Sequence, residues 1–181
     1  TRRSVQGKHF FRRYAVGIAR VDGSIGIKPV KALDEEACYP LNDIRSVMQK
    51  LPQIEALGLT TVEFNRGSCL FEVKYAAHLV GNIESGVIHG GVITTLLDSA
   101  GGAAAFSVVP VGSSVATLDL RIDYLKQAER ERSILGYATC YRQTQHIVFV
   151  KGCAYHESPD DPIAHFVASF MVGSVGFAPN A

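Results

Sequence analysis

The sequence predicts an α+β fold in which a curved antiparallel sheet wraps one long, buried helix. Three observations lead there. Between residues 89 and 108, Val92, Ile93, Leu96, Leu97, Ala100, Ala103, Ala104, Ala105 and Phe106 spread around the whole helical wheel, and a helix apolar on nearly all sides is enclosed by other elements. Four strand-length runs follow it with no helix between them. With no second helical layer available, the sheet must cover its apolar face by curling around that helix.

The elements follow in order. Residues 1–41 have irregular patterning and read as an N-terminal extension; residues 42–175 carry strong apolar periodicity and read as the working domain. Within the extension, the apolar runs Tyr14–Val21 and Ser24–Val30 flank Asp22-Gly23, a dipeptide that suits a tight hairpin turn. From Asn42, a candidate N-cap, Ile44, Val47, Met48, Leu51, Ile54 and Leu57 recur at helical spacing, and Pro52 marks a kink or a break into two short helices. After Gly58, residues 59–65 and 69–77 are rich in β-branched and aromatic side chains and form a hairpin through Arg66-Gly67-Ser68. A loop with Gly81, Asn82 and Gly86 leads to His89-Gly90-Gly91 and the buried helix. The final strands span residues 113–125, 133–144, 146–156 and 163–173, separated by turn-prone or charged clusters. In the first of them Leu118, Leu120, Ile122 and Tyr124 alternate onto one face, which is assigned to the core.

Composition narrows the function. Eighteen basic residues stand against 17 acidic ones, so bulk charge offers no footprint for nucleic acid. The four cysteines are far apart, with no CxxC pair and no histidine at zinc-finger spacing. A disulfide framework, a structural zinc site and other metal ligation are not expected, and a reducing, cytoplasmic setting is. No apolar signal segment follows the first residues. The longest uncharged stretch, residues 99–118, holds three glycines and Pro110, which argues against a membrane span.

Several residues carry possible chemistry. Asp98 lies within the helix, with no charged helical neighbour to pair with. Burying an unpaired carboxylate is costly, so Asp98 bonds a nearby hydroxyl such as Thr94 or Ser99, reaches water at an interface between chains, or belongs to a functional site. Gly101-Gly102 costs on the order of 1 kcal/mol per residue in a helix relative to Ala, which implies a close approach by another helix or a ligand. His89-Gly90-Gly91 stands at the helix start, where unpaired N–H groups and the positive end of the macrodipole suit an anion or a developing oxyanion; the bland alternative is a tight entry turn. From His89 to Asp98 the helix rises about 13 Å and turns about 900°, placing the two on opposite sides. If both serve one centre, that centre joins two chains, and a twofold homodimer with antiparallel helices brings one chain's His89 near the other's Asp98. Thr117 either holds a water or is there for β-propensity. Lys126, Arg130, Arg132, Arg142 and Lys151 either collect phosphates or are solvated charge.

The segment Gly86-Val87-Ile88-His89-Gly90-Gly91-Val92-Ile93-Thr94-Thr95-Leu96-Leu97-Asp98, followed by Thr117-Leu118-Asp119-Leu120-Arg121-Ile122-Asp123-Tyr124-Leu125, resembles the hotdog-fold acyl-CoA thioesterases of the phenylacetate-pathway (PaaI-like) type. The resemblance covers roughly residues 42–173. It implies a hotdog fold, a homodimer or a homotetramer built as a dimer of dimers, and thioester hydrolysis at the dimer interface with no cofactor beyond the CoA of the substrate. By the same resemblance Asp98 is the catalytic general base or nucleophile, and His89 with Gly90 is the element whose helix-end amide polarises the carbonyl. Asn82 helps hold the carbonyl or the water, and Thr117 positions that water. Asn82 departs from the family pattern, standing seven residues before His89 where six are expected. Gly91, Lys126, Arg130 and Arg132 are the candidate contacts to CoA.

Three readings follow. The first is an acyl-CoA thioester hydrolase. The second is an acyl-thioester hydratase or dehydratase of similar fold, which hydrates an enoyl thioester without releasing thiol. The third is a non-catalytic acyl-CoA-binding module, which binds tightly and turns nothing over.

Overall fold

The computed structural model describes residues 37–173, and the hairpin expected about Asp22-Gly23 lies outside them. The chain enters through helix α1 (Leu41–Gln49) and helix α2 (Pro52–Leu57). Pro52 breaks the helical pattern rather than kinking it, because it stands at the first position of α2, where its missing N–H costs nothing. The N-cap of α1 is Pro40, whose carbonyl accepts from the Asp43 and Ile44 N–H groups at 3.1 and 3.2 Å. Asn42, expected to cap, lies one residue inside the helix instead. Gly58 closes α2 with φ 64°, a left-handed geometry that glycine adopts without strain.

Strands β1 (Leu59–Asn65) and β2 (Ser68–Val73) form the expected hairpin. Its second arm is shorter than expected, since Ala77 already belongs to a 3-10 turn, Ala77–Leu79. The short strands β3 (Val80–Asn82) and β4 (Val87–Ile88) then lead into helix α3 (Gly90–Phe106). Four long strands complete the chain: β5 (Val115–Tyr124), β6 (Ile134–Gln143), β7 (Ile147–Tyr155) and β8 (Ala164–Val172). The main sheet is antiparallel, in the order β1-β2-β6-β7-β8-β5, so β5 is an edge strand. Helix α3 touches all six strands. This is the sheet-around-helix architecture the sequence predicts.

The core lies between α3 and the sheet. Leu96 and Leu97 are fully buried against Phe71, Ile134, Val148, Val150 and Phe170, none more than 1% exposed, and each such side chain contributes about 1.5–3 kcal/mol. The helix settles so close that a Cβ on Gly136 would stand 2.6 Å from Leu96 Cγ. The close approach inferred at Gly101-Gly102 is real at Gly101, where an added Cβ would lie 3.1 Å from the Phe170 ring and 3.3 Å from Phe166. What approaches is the sheet. At Gly102 the approach is looser, an added Cβ lying 3.7 Å from the same Phe170 ring. Gly102 shares with Gly91, Thr94, Thr95, Asp98, Ser99 and Phe106 a stripe of α3 that this chain leaves partly open, so the helix is not enclosed on every side.

Strand β5 corrects a second expectation. Thr117 pairs with Phe170 and Asp119 with the adjacent Ser169, leaving Leu118 as an extra residue in a bulge. Uninterrupted alternation puts Thr117 on the face of Asp119 and Arg121. The bulge turns it onto the helix side with Leu120, Ile122 and Tyr124, opposite Phe170, Ala168, Phe166 and Ala164. Leu118 is thereby expelled from the core face and is 49% exposed, and Tyr124 at the strand end is equally open. Among the described residues no helix is long and apolar enough to cross a membrane.

Candidate active site

The stripe left open on α3 holds the carboxylate. Asp98 is half-buried, and its Oδ1 accepts a hydrogen bond of 2.9 Å from Thr117 Oγ1. The partner that sequence reasoning sought among Thr94 and Ser99 thus comes from the neighbouring strand, delivered by the bulge. Thr94 and Thr95 instead donate to the Gly90 and Gly91 carbonyls one turn back, at 3.2 and 3.0 Å.

The N-terminus of α3 is pinned by side chains. His89 is the N-cap, and its Nδ1 accepts from the Gly91 N–H at 2.9 Å. An accepting Nδ1 carries no proton, so in the neutral ring the proton sits on Nε2, which faces outward as a donor. The Val92 N–H is taken by the His89 carbonyl at 2.9 Å. The Gly90 N–H is given no acceptor by the described residues and is left as the donor at the positive end of the helix.

Asn82 belongs to the same neighbourhood. Its strand lies against His89 so tightly that a Cβ on Gly81 would stand 2.8 Å from His89 Cα, and the His89 N–H donates to the Leu79 carbonyl at 2.8 Å. A bulge between Val80 and Asn82 accommodates one extra residue in this short ladder. The Asn82 Oδ1 is committed to its own turn, accepting from the Glu84 and Ser85 N–H groups at 3.0 and 3.1 Å, which leaves its amide nitrogen as the uncommitted end of the side chain among the described residues.

The three basic residues assigned to CoA lie on the 125–133 loop, and all three are already ion-paired. Arg132 bonds Glu129 at 2.5 Å and Glu157 at 2.6 Å; the hydrogen bond and charge of its guanidinium hold the Glu129 carboxyl below the usual carboxylate range. Lys126 pairs with Asp161. Arg130 pairs with Glu131 at 3.1 Å, and its stem fills the space beside Gly86, where a Cβ would meet Arg130 Cδ at 2.7 Å. That contact sets Arg130 against the loop that leads to His89. The 125–133 loop is itself held by His156, just past the end of β7, which takes the Glu129 N–H on Nε2 at 2.8 Å and meets the Ser133 carbonyl through Nδ1 at 2.7 Å. Among the described residues no group of three His, Cys, Asp or Glu side chains is placed to hold a metal.

One residue escaped sequence reasoning. Tyr124, assigned to the core face, sends its hydroxyl to the Gly90 carbonyl at 2.7 Å and meets Thr94 Oγ1 at 3.0 Å. The signal was present, because a tyrosine on an apolar face needs a partner for its hydroxyl.

The geometry has close relatives. The model of the thioesterase superfamily matches residues 85–163, which span the His89 loop, α3 and three of the four long strands. A solved structure of a Pseudomonas aeruginosa protein is 41% identical, superposes with a TM-score of 0.66, and its match covers 73% of this chain and 98% of that one. The chain belongs to the thioesterase superfamily. Its fold is the hotdog fold of that superfamily. Among curated relatives of this thioesterase-family chain, the Escherichia coli medium/long-chain acyl-CoA thioesterase YigI is 28% identical over 141 residues, 68% of this chain and 86% of YigI. A Halobacterium salinarum protein named provisionally as an esterase is 33% identical over 88 residues, 47% of this chain; the match spans only 58% of that protein's length.

Proposed function

We propose that the protein hydrolyses acyl-CoA thioesters to a free carboxylic acid and CoA. The observation that carries this reading is the Asp98 carboxylate, fixed by Thr117 on the open stripe of a helix whose first N–H is unclaimed. Membership of the thioesterase superfamily and the likeness to YigI, which is named for acyl-CoA thioester hydrolysis, support it. Asp98 takes a proton from water, the resulting hydroxide adds to the carbonyl carbon, and the Gly90 N–H at the helix end receives the charge that develops on oxygen. The C–S bond then breaks and the thiolate leaves, picking up the proton. Attack by the carboxylate itself, followed by hydrolysis of the anhydride, uses the same groups. A thioester carbonyl is electrophilic and a thiolate departs readily, so these groups suffice. The outward Nε2–H of His89 and the Asn82 amide nitrogen are the further donors in reach of the substrate, and Gly91, Lys126, Arg130 and Arg132 are assigned to the CoA portion.

The reacting groups come from two chains. Nine residues of helix separate His89 from Asp98, about 13 Å of rise, too far for one carbonyl to touch both in one chain. A twofold partner laid antiparallel along the open stripe supplies the missing half. The exposed Leu118, Tyr124 and Leu125 on and beside edge strand β5 are the apolar surface it covers, and such dimers assemble further into tetramers.

Thiol release from short, long and aromatic acyl-CoAs tests the activity. Asp98→Asn is expected to lower kcat by about 10²–10⁴ with folding intact; tight acyl-CoA binding with no thiol released from any substrate refutes hydrolysis. Mixing inactive Asp98→Asn with a second inactive variant at the other half-site, Gly90→Pro, tests the sharing. Random exchange makes half the molecules heterodimers, each with one intact site, so about a quarter of wild-type activity returns. No recovery after demonstrated subunit exchange places both groups in one chain.

A further inference from the structure

We infer that Tyr124 is a positioning residue for the helix-end donor, acting through the Gly90-Gly91 peptide; this rests on the hydrolase reading above. Two consecutive glycines open α3 at the point where the reaction needs a fixed N–H direction. Glycine is the residue least able to fix its own backbone, so the orientation must come from outside. The peptide unit between Gly90 and Gly91 is held at both ends: its N–H donates to His89 Nδ1 at 2.9 Å, and its carbonyl accepts from the Tyr124 hydroxyl at 2.7 Å. Thr94 Oγ1, 3.2 Å from the same carbonyl and 3.0 Å from the Tyr124 oxygen, completes a three-membered cluster.

The glycine and the tyrosine fit each other. A Cβ on Gly90 would stand 3.3 Å from the Tyr124 oxygen, so the hydroxyl occupies the approach a side chain would block. Tyr124 reaches this place because it is on the helix-side face of β5, the face onto which the Leu118 bulge also turns Thr117. One edge strand therefore serves both ends of α3's chemistry, with Thr117 holding the carboxylate and Tyr124 holding the peptide next to the oxyanion donor. Tyr124 touches no reacting atom in this scheme; it sets where the Gly90 N–H points.

The test is Tyr124→Phe, with Thr94→Val beside it. Tyr124 is half open to solvent, and Phe keeps the ring, so the fold and the elution volume are expected to match wild type. The expected result is a fall in kcat of about 3–10-fold, the size of one hydrogen bond, with KM for acyl-CoA within about twofold. Amide exchange of the Gly91 N–H, followed by NMR, is expected to quicken by a similar factor. Thr94→Val shifts the same two readouts less. An active wild type with an unchanged kcat in Tyr124→Phe overturns the inference. So does a variant in which kcat, KM and melting temperature decline together, since that is a merely structural role. A wild type that releases no thiol from any acyl-CoA instead brings down the hydrolase reading, and this inference with it.

Discussion

Replacing Thr117 with valine removes one hydroxyl and nothing else. Valine keeps the β-branched shape of an exposed strand residue, and among the described residues the lost oxygen has one hydrogen-bond partner, Asp98 Oδ1 at 2.9 Å. A hydroxyl donating to a carboxylate contributes about 1.5–3 kcal/mol when enclosed; Asp98 is only half-buried and water can replace part of the bond, so about 1–2 kcal/mol is the working figure. If the bond orients the carboxylate in the transition state, kcat falls about 5–30-fold, with KM and melting temperature little changed. The double-mutant cycle with Asp98→Asn decides the reasoning. In the Asp98→Asn background the carboxylate that Thr117 serves is gone, so Thr117→Val should cost less than about twofold there. A full 5–30-fold loss in both backgrounds shows Thr117 acting independently of Asp98. No loss in either shows that the bond is idle, and both results refute the argument.

Further outcomes follow from the packing and from the charged loop. Burial pushes the thiols of Cys69 and Cys140 up to about 12, so neither should react with a disulfide reagent at pH 8 until the protein is unfolded. Cys69 is 2% exposed and ionises in the unfolded chain near the ordinary thiol value of 9.0; above that pH the unfolded state binds fewer protons than the folded one. Cys69 therefore lowers stability as pH rises from about 9 toward 12, by up to about 1.4 kcal/mol per pH unit; Cys140 adds a decline of the same sign, so a Cys69→Ala variant should show a shallower slope than wild type in denaturant titrations. Gly136→Ala drives a methyl into Leu96 and should cost about 1–3 kcal/mol, less than additively in a Leu96→Ala background, as read by chemical denaturation. Arg130→Gln should raise KM for acyl-CoA about 3–10-fold through a lost phosphate contact and leave the KM of the corresponding acyl-pantetheine, which lacks those phosphates, unchanged.

Much of the fold was legible because its signals are local. The all-round apolar pattern of residues 90–106, the broken helix at Pro52 and the strand runs each depend on period and punctuation. The departures are long-range. Nothing in Thr117-Leu118-Asp119 announces a bulge, because alternation reads the same with or without an extra residue; the ladder to β8 decides it. For the same reason the pattern alone assigns Leu118 to the core and offers Asp98 only the hydroxyls of its own helix. Residue type makes Asn42 a cap candidate, but Pro40, which fixes its own φ, starts the helix two residues sooner. Alternation gives the face of Tyr124 but not its duty: Leu120 and Ile122 pack on the core beside it, while its hydroxyl bonds at the helix end.

The position of the carboxylate follows from the cost of burying charge. Leu97 and Ala100 on either side are fully buried, and an ionised carboxyl at either site would cost several kcal/mol with no partner to offset it. At position 98 the helix faces the stripe that the sheet leaves open, so the folding chain keeps Asp98 in contact with water and asks only one hydrogen bond of Thr117. In the proposed assembly the cover arrives later, as substrate and a second copy of the chain. Desolvation of the carboxylate is then charged to binding instead of to folding, at the moment when a water-poor site strengthens each electrostatic contact to the thioester. The glycines that open the helix obey the same logic: they leave the N–H uncovered for substrate, and hydrogen bonds from outside the helix backbone, through His89 and Tyr124, restore the order that glycine gives up.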